Sequence, residues 1–362
     1  MVDLGIIGLE RSGKTSFFNA VSGRDIPVGE FSGGEPNVGI SHVPDLRLDA
    51  IADVIKPKKT TYAEVRWVDY PSGFGKDAPG ARFLAELANM DALVHVARAF
   101  DEPSMPHPEG SVDAARDIEL LDLELTFADI AFIERRLERI EAEMRSVKAA
   151  DRGAAERDRA LLERVKTQLE GGTAIRNMTL DEDEQRQLVQ YQFVTRVPLL
   201  IVLNIGEDAV GQIAALEAGL DTDGGGAAPP VVALCAKLEA EVASLDAEEA
   251  GEFRSELGLD AEPPLDRAIR TAYDVLGLIS FFTAGDTDCR AWALRRGGAA
   301  VEAAGRIHTD IERGFIRAEV AGWQDLLDAG SYGNLRLQGS LRTEGKTYEV
   351  QDGDVINVLF NV

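Results

Sequence analysis

Residues Gly8-Leu-Glu-Arg-Ser-Gly13-Lys14-Thr15 fit the pattern G-x-x-x-x-G-K-[ST], and their surroundings constrain the fold more than any other stretch. The residues before them, Val-Asp-Leu-Gly-Ile-Ile, are short, apolar and β-prone, which predicts a buried strand over 2–7. Ser16-Phe-Phe-Asn-Ala-Val21 reads as the opening of a helix. A strand, a glycine turn and a helix make a phosphate cradle. Glycine lets the backbone turn its N–H groups inward, and the helix N-terminus adds positive potential. Gly8, Arg11, Ser12, Gly13, Lys14, Thr15 and Ser16 are therefore the candidate phosphate-binding residues. Lys14 reaches the β- and γ-phosphates in such a site, and the Thr15 hydroxyl holds Mg²⁺. The bare pattern also fits an ordinary glycine turn; the flanking strand and helix argue against that.

A carboxylate at the end of a later buried strand completes a Mg²⁺ site of this kind. The β-rich run over 60–68 ends at Asp69, which is the candidate. Glycine-rich stretches over 23–34 and 70–80 read as mobile loops. Strand signals over 37–43, 92–97, 198–203 and 230–235 alternate with helical ones, which predicts a mainly parallel α/β sheet with its ligand at the strands' carboxyl ends.

From about residue 120 the period changes. Ile130, Ile133, Leu137, Ile140, Met144 and Val147 recur at steps of three and four, and Asp151-Arg-Gly153 breaks the run. Leu161, Val165 and Leu169 share one face of a second helix, so the pair predicts an antiparallel helical hairpin projecting from the sheet. The alternative is two helices packed back on the core. Thr179-Leu-Asp-Glu182 looks like a capping box opening one more helix. From Leu278 onward, short strands and helices predict a small α+β domain. The expected division is a nucleotide-binding domain over 1–122 and 196–277, a hairpin insert over 123–195 and a C-terminal domain over 278–362.

The formal charge of −25 argues against broad non-specific nucleic-acid binding, and no DNA partner is expected. A local basic patch still allows an RNA contact; Lys56-Pro-Lys-Lys59 and the Arg135, Arg136, Arg139 cluster are the places to look, each also readable as a solvated surface. Two distant cysteines, Cys235 and Cys289, suit a reducing cytosol, and four scattered histidines form no ligand spacing. No charged-then-apolar leader precedes the first strand and no apolar run approaches membrane length, so no membrane partner is expected.

Asn204-Ile-Gly-Glu207 separates adenine from guanine readings. GTPases of this sheet type place Asn-Lys-x-Asp after this strand, where the Asp accepts two hydrogen bonds from guanine and the Lys stem packs on the base. Here Ile205 stands for the Lys and Glu207 for the Asp. One extra methylene displaces the carboxylate beyond hydrogen-bond tolerance, so guanine selectivity should weaken. Ala236 and Lys237 complete the expected base pocket.

With these motifs in order, the whole chain resembles the YchF/Obg-like ATPase family. The resemblance rests on Glu35-Pro-Asn-Val-Gly39, Arg116-Asp-Ile-Glu119, Cys235-Ala-Lys-Leu-Glu239, Phe282-Thr-Ala-Gly285, Ile307-His-Thr-Asp310 and Val350-Gln-Asp-Gly-Asp354, among others. It implies a P-loop domain, a helical-hairpin insert and a C-terminal TGS domain of ubiquitin-like fold. It also implies binding and slow hydrolysis of ATP, with GTP a second nucleotide, a Mg²⁺ cofactor and association with ribosomes.

The departures bear on turnover. The family's first mobile loop reads F-x-T-I-E-P-N, with a threonine over Mg²⁺ and the γ-phosphate; here Gly33 stands there, with Ser32 adjacent. Ser72 occupies the position of a glycine that offers its N–H to the γ-phosphate, and Gly73 can take that role after a one-residue shift. Gly73 or Phe74 stands where many GTPases carry a water-positioning Gln. Catalysis is then expected from Lys14, Asp69, Mg²⁺ and backbone N–H groups. The leading expectation is a slow ATPase switch on the translation apparatus. The alternative is a nucleotide-bound scaffold, its hydrolysis lost, that docks a protein partner through the hairpin and C-terminal domain.

Overall fold

A computed structural model describes residues 2–28, 35–70, 74, 80–146, 152–220, 228–256 and 263–361. Most of the expected glycine-rich loops, and the Asp/Gly run over 221–227, lie outside these residues.

In chain order the elements begin β1 (Val2–Ile7), α1 (Lys14–Ser22), β2 (Asn37–His42), α2 (Leu46–Ile55), β3 (Lys59–Thr61) and β4 (Glu64–Asp69). They continue α3 (Ala81–Ala88), β5 (Ala92–Ala99), α4 (Ala114–Ser146), α5 (Gly153–Glu170), α6 (Glu182–Val189), β6 (Leu199–Ile205), α7 (Ile213–Gly219) and β7 (Val231–Leu234). Then come α8 (Ala236–Val242), α9 (Ala247–Glu256), α10 (Pro264–Val275), β8 (Leu278–Ala284), β9 (Asp288–Arg295), α11 (Ala300–Ile307) and α12 (Thr309–Arg313). The chain closes with β10 (Phe315–Gly322), α13 (Trp323–Ala329), α14 (Tyr332–Gln338), β11 (Arg342–Glu344) and β12 (Asp354–Phe360).

Two compact units form. One comprises 2–39 and 66–268, the other 40–65 and 269–362. The first unit is built on a sheet ordered β2-β4-β1-β5-β6-β7, with β1, β5, β6 and β7 pairing in parallel. Its central strands β5 and β6 are near-continuous apolar runs, as strands covered on both faces must be. The carboxyl ends of β1, β5 and β6 therefore meet at one edge, which is where a ligand binds in an open α/β sheet.

The second unit carries a mixed sheet ordered β11-β10-β12-β8-β9-β3. Its core places Phe281, Leu294, Phe315, Val320 and Ile356 together. The run expected as one strand over 60–68 is two: β3 pairs in parallel with β9 in this mixed sheet, while β4 belongs to the other sheet. The expected domain limits shift accordingly, because 40–65 packs with the C-terminal residues and that unit starts at Ile269 instead of 278. Sequence periodicity sees local patterning, whereas this exchange is set by non-local pairing.

The expected insert boundary at residue 122 falls inside α4. Leu121 and Leu125 pack in the sheet cluster with Ile7, Leu93 and Leu199. Further along α4, Ile133 and Ile140 pack with Leu161, Val165 and Leu169 of α5 in the expected seam. One continuous helix thus serves both cores. The capping box of α6 is Asp181 with Glu184, two residues later than expected.

Candidate functional site

The β1–α1 turn is shaped by two glycines. Gly8 has φ 151°, and a Cβ there would overlap the Val96 carbonyl oxygen on β5. Gly13 has φ 91°, and a Cβ there would overlap Asn204 Nδ2. Arg11 also sits in the left-handed region, φ 61°, and its guanidinium donates to the Pro106 carbonyl (3.0 Å). Ser12 is buried and its hydroxyl oxygen has no partner. Lys14 Nζ donates to the carbonyls of Gly8 (2.9 Å) and Leu9 (2.8 Å), so the ammonium is held across the mouth of the turn. Burial pulls its pKa down to about 8, against the opposing charges of Asp69 and Glu10. Ser16 follows Thr15 in the first turn of α1.

Asp69, at the end of β4, is 2% exposed. Its Oδ2 accepts from Thr15 Oγ1 (3.1 Å) and from Asn37 Nδ2 (3.3 Å). Its Oδ1 is buried without a partner. Burial raises its pKa, and the bonds from Asn37 and Thr15 and the Lys14 charge oppose that rise. Thr15 and Asp69, distant in sequence, are thus hydrogen-bonded, and a carboxylate oxygen beside them lacks a donor or a cation. Hard oxygen donors of this type suit Mg²⁺.

Asn204 ties the cradle to the next strand end. Its Nδ2 donates to the Ser12 carbonyl (3.0 Å) and its Oδ1 accepts from Ala236 N (3.0 Å). Its amide therefore faces protein at both ends. Glu207 and Lys237 are exposed and joined at 2.8 Å. Ile205 differs from its expected role. It is 1% exposed and lies in a core cluster with Ile118, Leu203 and Val210, so its side chain offers no open surface for a base.

Sequence reasoning missed two residues at this edge. Phe100 lies between the turn and the strand end: a Cβ on Gly13 would stand 3.9 Å from its Cε1, and one on Gly206 3.7 Å from its Cβ. Arg98, in register with Asn204 on the neighbouring strand, is 1% exposed. Its Nε donates to the Phe100 carbonyl (3.1 Å) and its Nη2 to the Met105 carbonyl (2.9 Å), with the guanidinium 4.5 Å over the Phe100 ring. The signal available was a cation near the end of a strand that is apolar apart from His95. Beyond it His107 lies 2.8 Å from Asp117 of α4, both buried.

The loop positions Ser32, Gly33, Ser72 and Gly73 lie outside the described residues. Phe74 does not face a reacting group: it is 0% exposed, forms a bridge with Leu9 and packs on Phe83. Among the described residues, no cluster of His, Cys, Asp and Glu forms a metal site, and no helix is long and apolar enough to cross a membrane.

A family profile named YchF-GTPase_C, "Protein of unknown function (DUF933)", matches residues 278–361. The chain is 38% identical to the ribosome-binding ATPase YchF of Bacillus subtilis (strain 168), over 99% of both chains. It is 37% identical to the protein of the same name from Escherichia coli O157:H7, again over 99% of both. The YchF GTPase of Schizosaccharomyces pombe superposes with a TM-score of 0.84 at 27% identity, covering 99% of this chain and 97% of that one.

Proposed function

The chain belongs to the YchF family, and from that premise we propose that it is a slow P-loop ATPase acting as a ribosome-associated switch in the cytoplasm. The observation that carries this reading is the convergence of Lys14, Thr15, Asp69 and Asn204 on one sheet edge. In this reading the backbone from Gly8 to Gly13 cradles the phosphates, with Arg11 and Ser12 shaping the turn. Lys14 leaves its two carbonyl partners to hold phosphate charge. Thr15 and the partnerless Asp69 oxygen would hold Mg²⁺, which would supply charge neutralisation for the phosphates.

The base lies against Phe100, with the Glu207–Lys237 pair and Ala236 at its edge and Ile205 supporting the strand from within. Glu207 in place of an aspartate disfavours the two-point recognition of guanine, which makes ATP the first nucleotide and GTP the second. The α4–α5 pair, as an antiparallel hairpin, and the C-terminal residues 278–361, as a TGS domain, are the docking modules for the ribosome.

Phosphate release from ATP and GTP by the full chain, with and without Mg²⁺ and ribosomes, tests the reading. Hydrolysis of ATP above a Lys14→Ala control is expected, together with co-sedimentation with ribosomes. ATP turnover no greater than that control, with equal affinity for ATP and ADP, would overturn it.

A further inference from the structure

A cavity of about 300 Å³ opens between α3, the middle of α4 and residues 192–194, away from the phosphate cradle's residues. Leu84 and Ala85 of α3 and Ala128 and Phe132 of α4 give it an apolar floor. The Phe132 ring is fixed by edge contacts with Phe193 (centroids 5.4 Å apart) and Tyr191 (6.1 Å). Its free face is thus presented by a rigid aromatic group.

Three arginines of α4 line one side. Arg136 is engaged, with Asp158 at 3.3 Å and Glu143 at 3.5 Å. Arg135 and Arg139 are different. Both are exposed, and among the described residues neither has an ion-pair or hydrogen-bond partner. They stand four residues apart, hence side by side on the helix. Among the described carboxylates around them, exposed Glu138 bonds to neither arginine, and two others are occupied. Asp129 accepts from Val194 N (3.1 Å), Thr195 N (2.8 Å) and Thr195 Oγ1 (2.6 Å), and Glu134 pairs with Lys166 (2.6 Å). Two cations without a direct partner beside an apolar cavity are unexpected in a chain of charge −25, where acidic side chains outnumber basic ones 63 to 38.

The two features ask for the same ligand chemistry. Charge complementarity calls for an anionic head that two guanidinium groups can bind as a fork. The rigid ring calls for a planar apolar body that stacks on it. The volume is at the lower end for ligand pockets, which suits a small molecule. We propose that this cavity binds a small aromatic anion, its ring against Phe132 and its anionic group between Arg135 and Arg139. The site is independent of the nucleotide reading, since it shares no residue with the cradle.

Calorimetric titration of the full chain with 2-naphthalenesulfonate tests it. One equivalent is expected to bind, with affinity unchanged by Lys14→Ala and by saturating Mg·ATP. The double variant Arg135→Gln/Arg139→Gln should weaken binding at least tenfold. Both side chains are exposed and unpartnered, so an unchanged thermal midpoint is expected alongside. Ala128→Leu, which fills the floor without changing charge, should weaken binding comparably. Displacement by Mg·ATP, several equivalents bound, or affinity indifferent to both sets of substitutions would each overturn the assignment.

Discussion

Gly13 and Asn204 should behave as one unit. A Cβ at Gly13 overlaps the Asn204 amide nitrogen, so Gly13→Ala must push that amide aside. Its two bonds, to the Ser12 carbonyl and from Ala236 N, are then lost together. Both partners lie at a buried junction, and leaving a buried polar group unsatisfied costs about 1–3 kcal/mol, hence about 2–6 kcal/mol for the pair. Holding alanine at φ 91° adds roughly 1–2 kcal/mol. Asn204→Ala alone forfeits the same two bonds, about 2–6 kcal/mol. With the amide gone, however, a methyl at position 13 meets no obstacle, and only the backbone strain of roughly 1–2 kcal/mol remains. The double variant should therefore lose far less stability than the two singles combined, by about 2–6 kcal/mol. Urea unfolding followed by the fluorescence of Trp67, which packs edge-on against Phe17 in the nucleotide unit, reads this directly once Trp292 and Trp323 are replaced by Phe. Additivity within about 0.5 kcal/mol would refute the claim that the glycine exists to admit the asparagine.

Three further outcomes are expected. Because burial holds the Lys14 ammonium at about 8 and phosphate favours its charged form, ATP affinity should fall as pH rises through about 8, with proton uptake on binding. Calorimetry in two buffers of different ionisation enthalpy measures that uptake, and a flat affinity between pH 7 and 9 contradicts it. Burial raises Glu239 from 4.5 to about 7, against the Arg254 charge, so between these values the folded chain holds more protons than the unfolded one. Stability should drop by about 3 kcal/mol as pH rises through that window, and Glu239→Gln should abolish the drop in urea midpoints taken at pH 4 and 8. Glu207→Asp withdraws the carboxylate from Lys237, 2.8 Å away, towards the reach an aspartate has in GTPases. It should raise the GTP-to-ATP affinity ratio about tenfold, worth about 1.4 kcal/mol; an unchanged ratio would place base selectivity elsewhere.

Much of the nucleotide unit was legible because its signals are local. A buried parallel strand reads as a near-continuous apolar run, as β1, β5 and β6 do apart from Asp3, His95, Arg98 and Asn204. The cradle was legible because glycines at fixed spacing before Lys-Thr have few other uses. What failed was non-local. Nothing in Lys59-Thr-Thr-Tyr-Ala-Glu64 announces that its first residues join β9 and its last open β4 of the other sheet. Equally, the period of α4 changes near residue 120, which suggested a domain boundary. The helix runs through it because Leu121 and Leu125 face one core and Ile133 and Ile140 another. A change of apolar period marks a change of packing partner, and a long helix can change partner without ending.

The same distinction applies inside the site. Asn204 was legible as a functional position from Asn-x-x-Glu, but sequence assigns it a face towards the base. Both ends of its amide are instead committed to backbone, one to the phosphate turn and one to the start of α8. One N–H of that amide and one lone pair of its oxygen remain for a base, so the asparagine that ties the phosphate turn to α8 still has bonding capacity to offer. Ile205 is withdrawn into the core. In the proposed reading, selectivity rests largely on the exposed Glu207–Lys237 pair, beside Phe100, whose ring carries the Arg98 guanidinium on one face. An aromatic ring stacks on either purine, so in that reading discrimination would turn on where the carboxylate of residue 207 ends, which is set by one methylene and by its hold on Lys237.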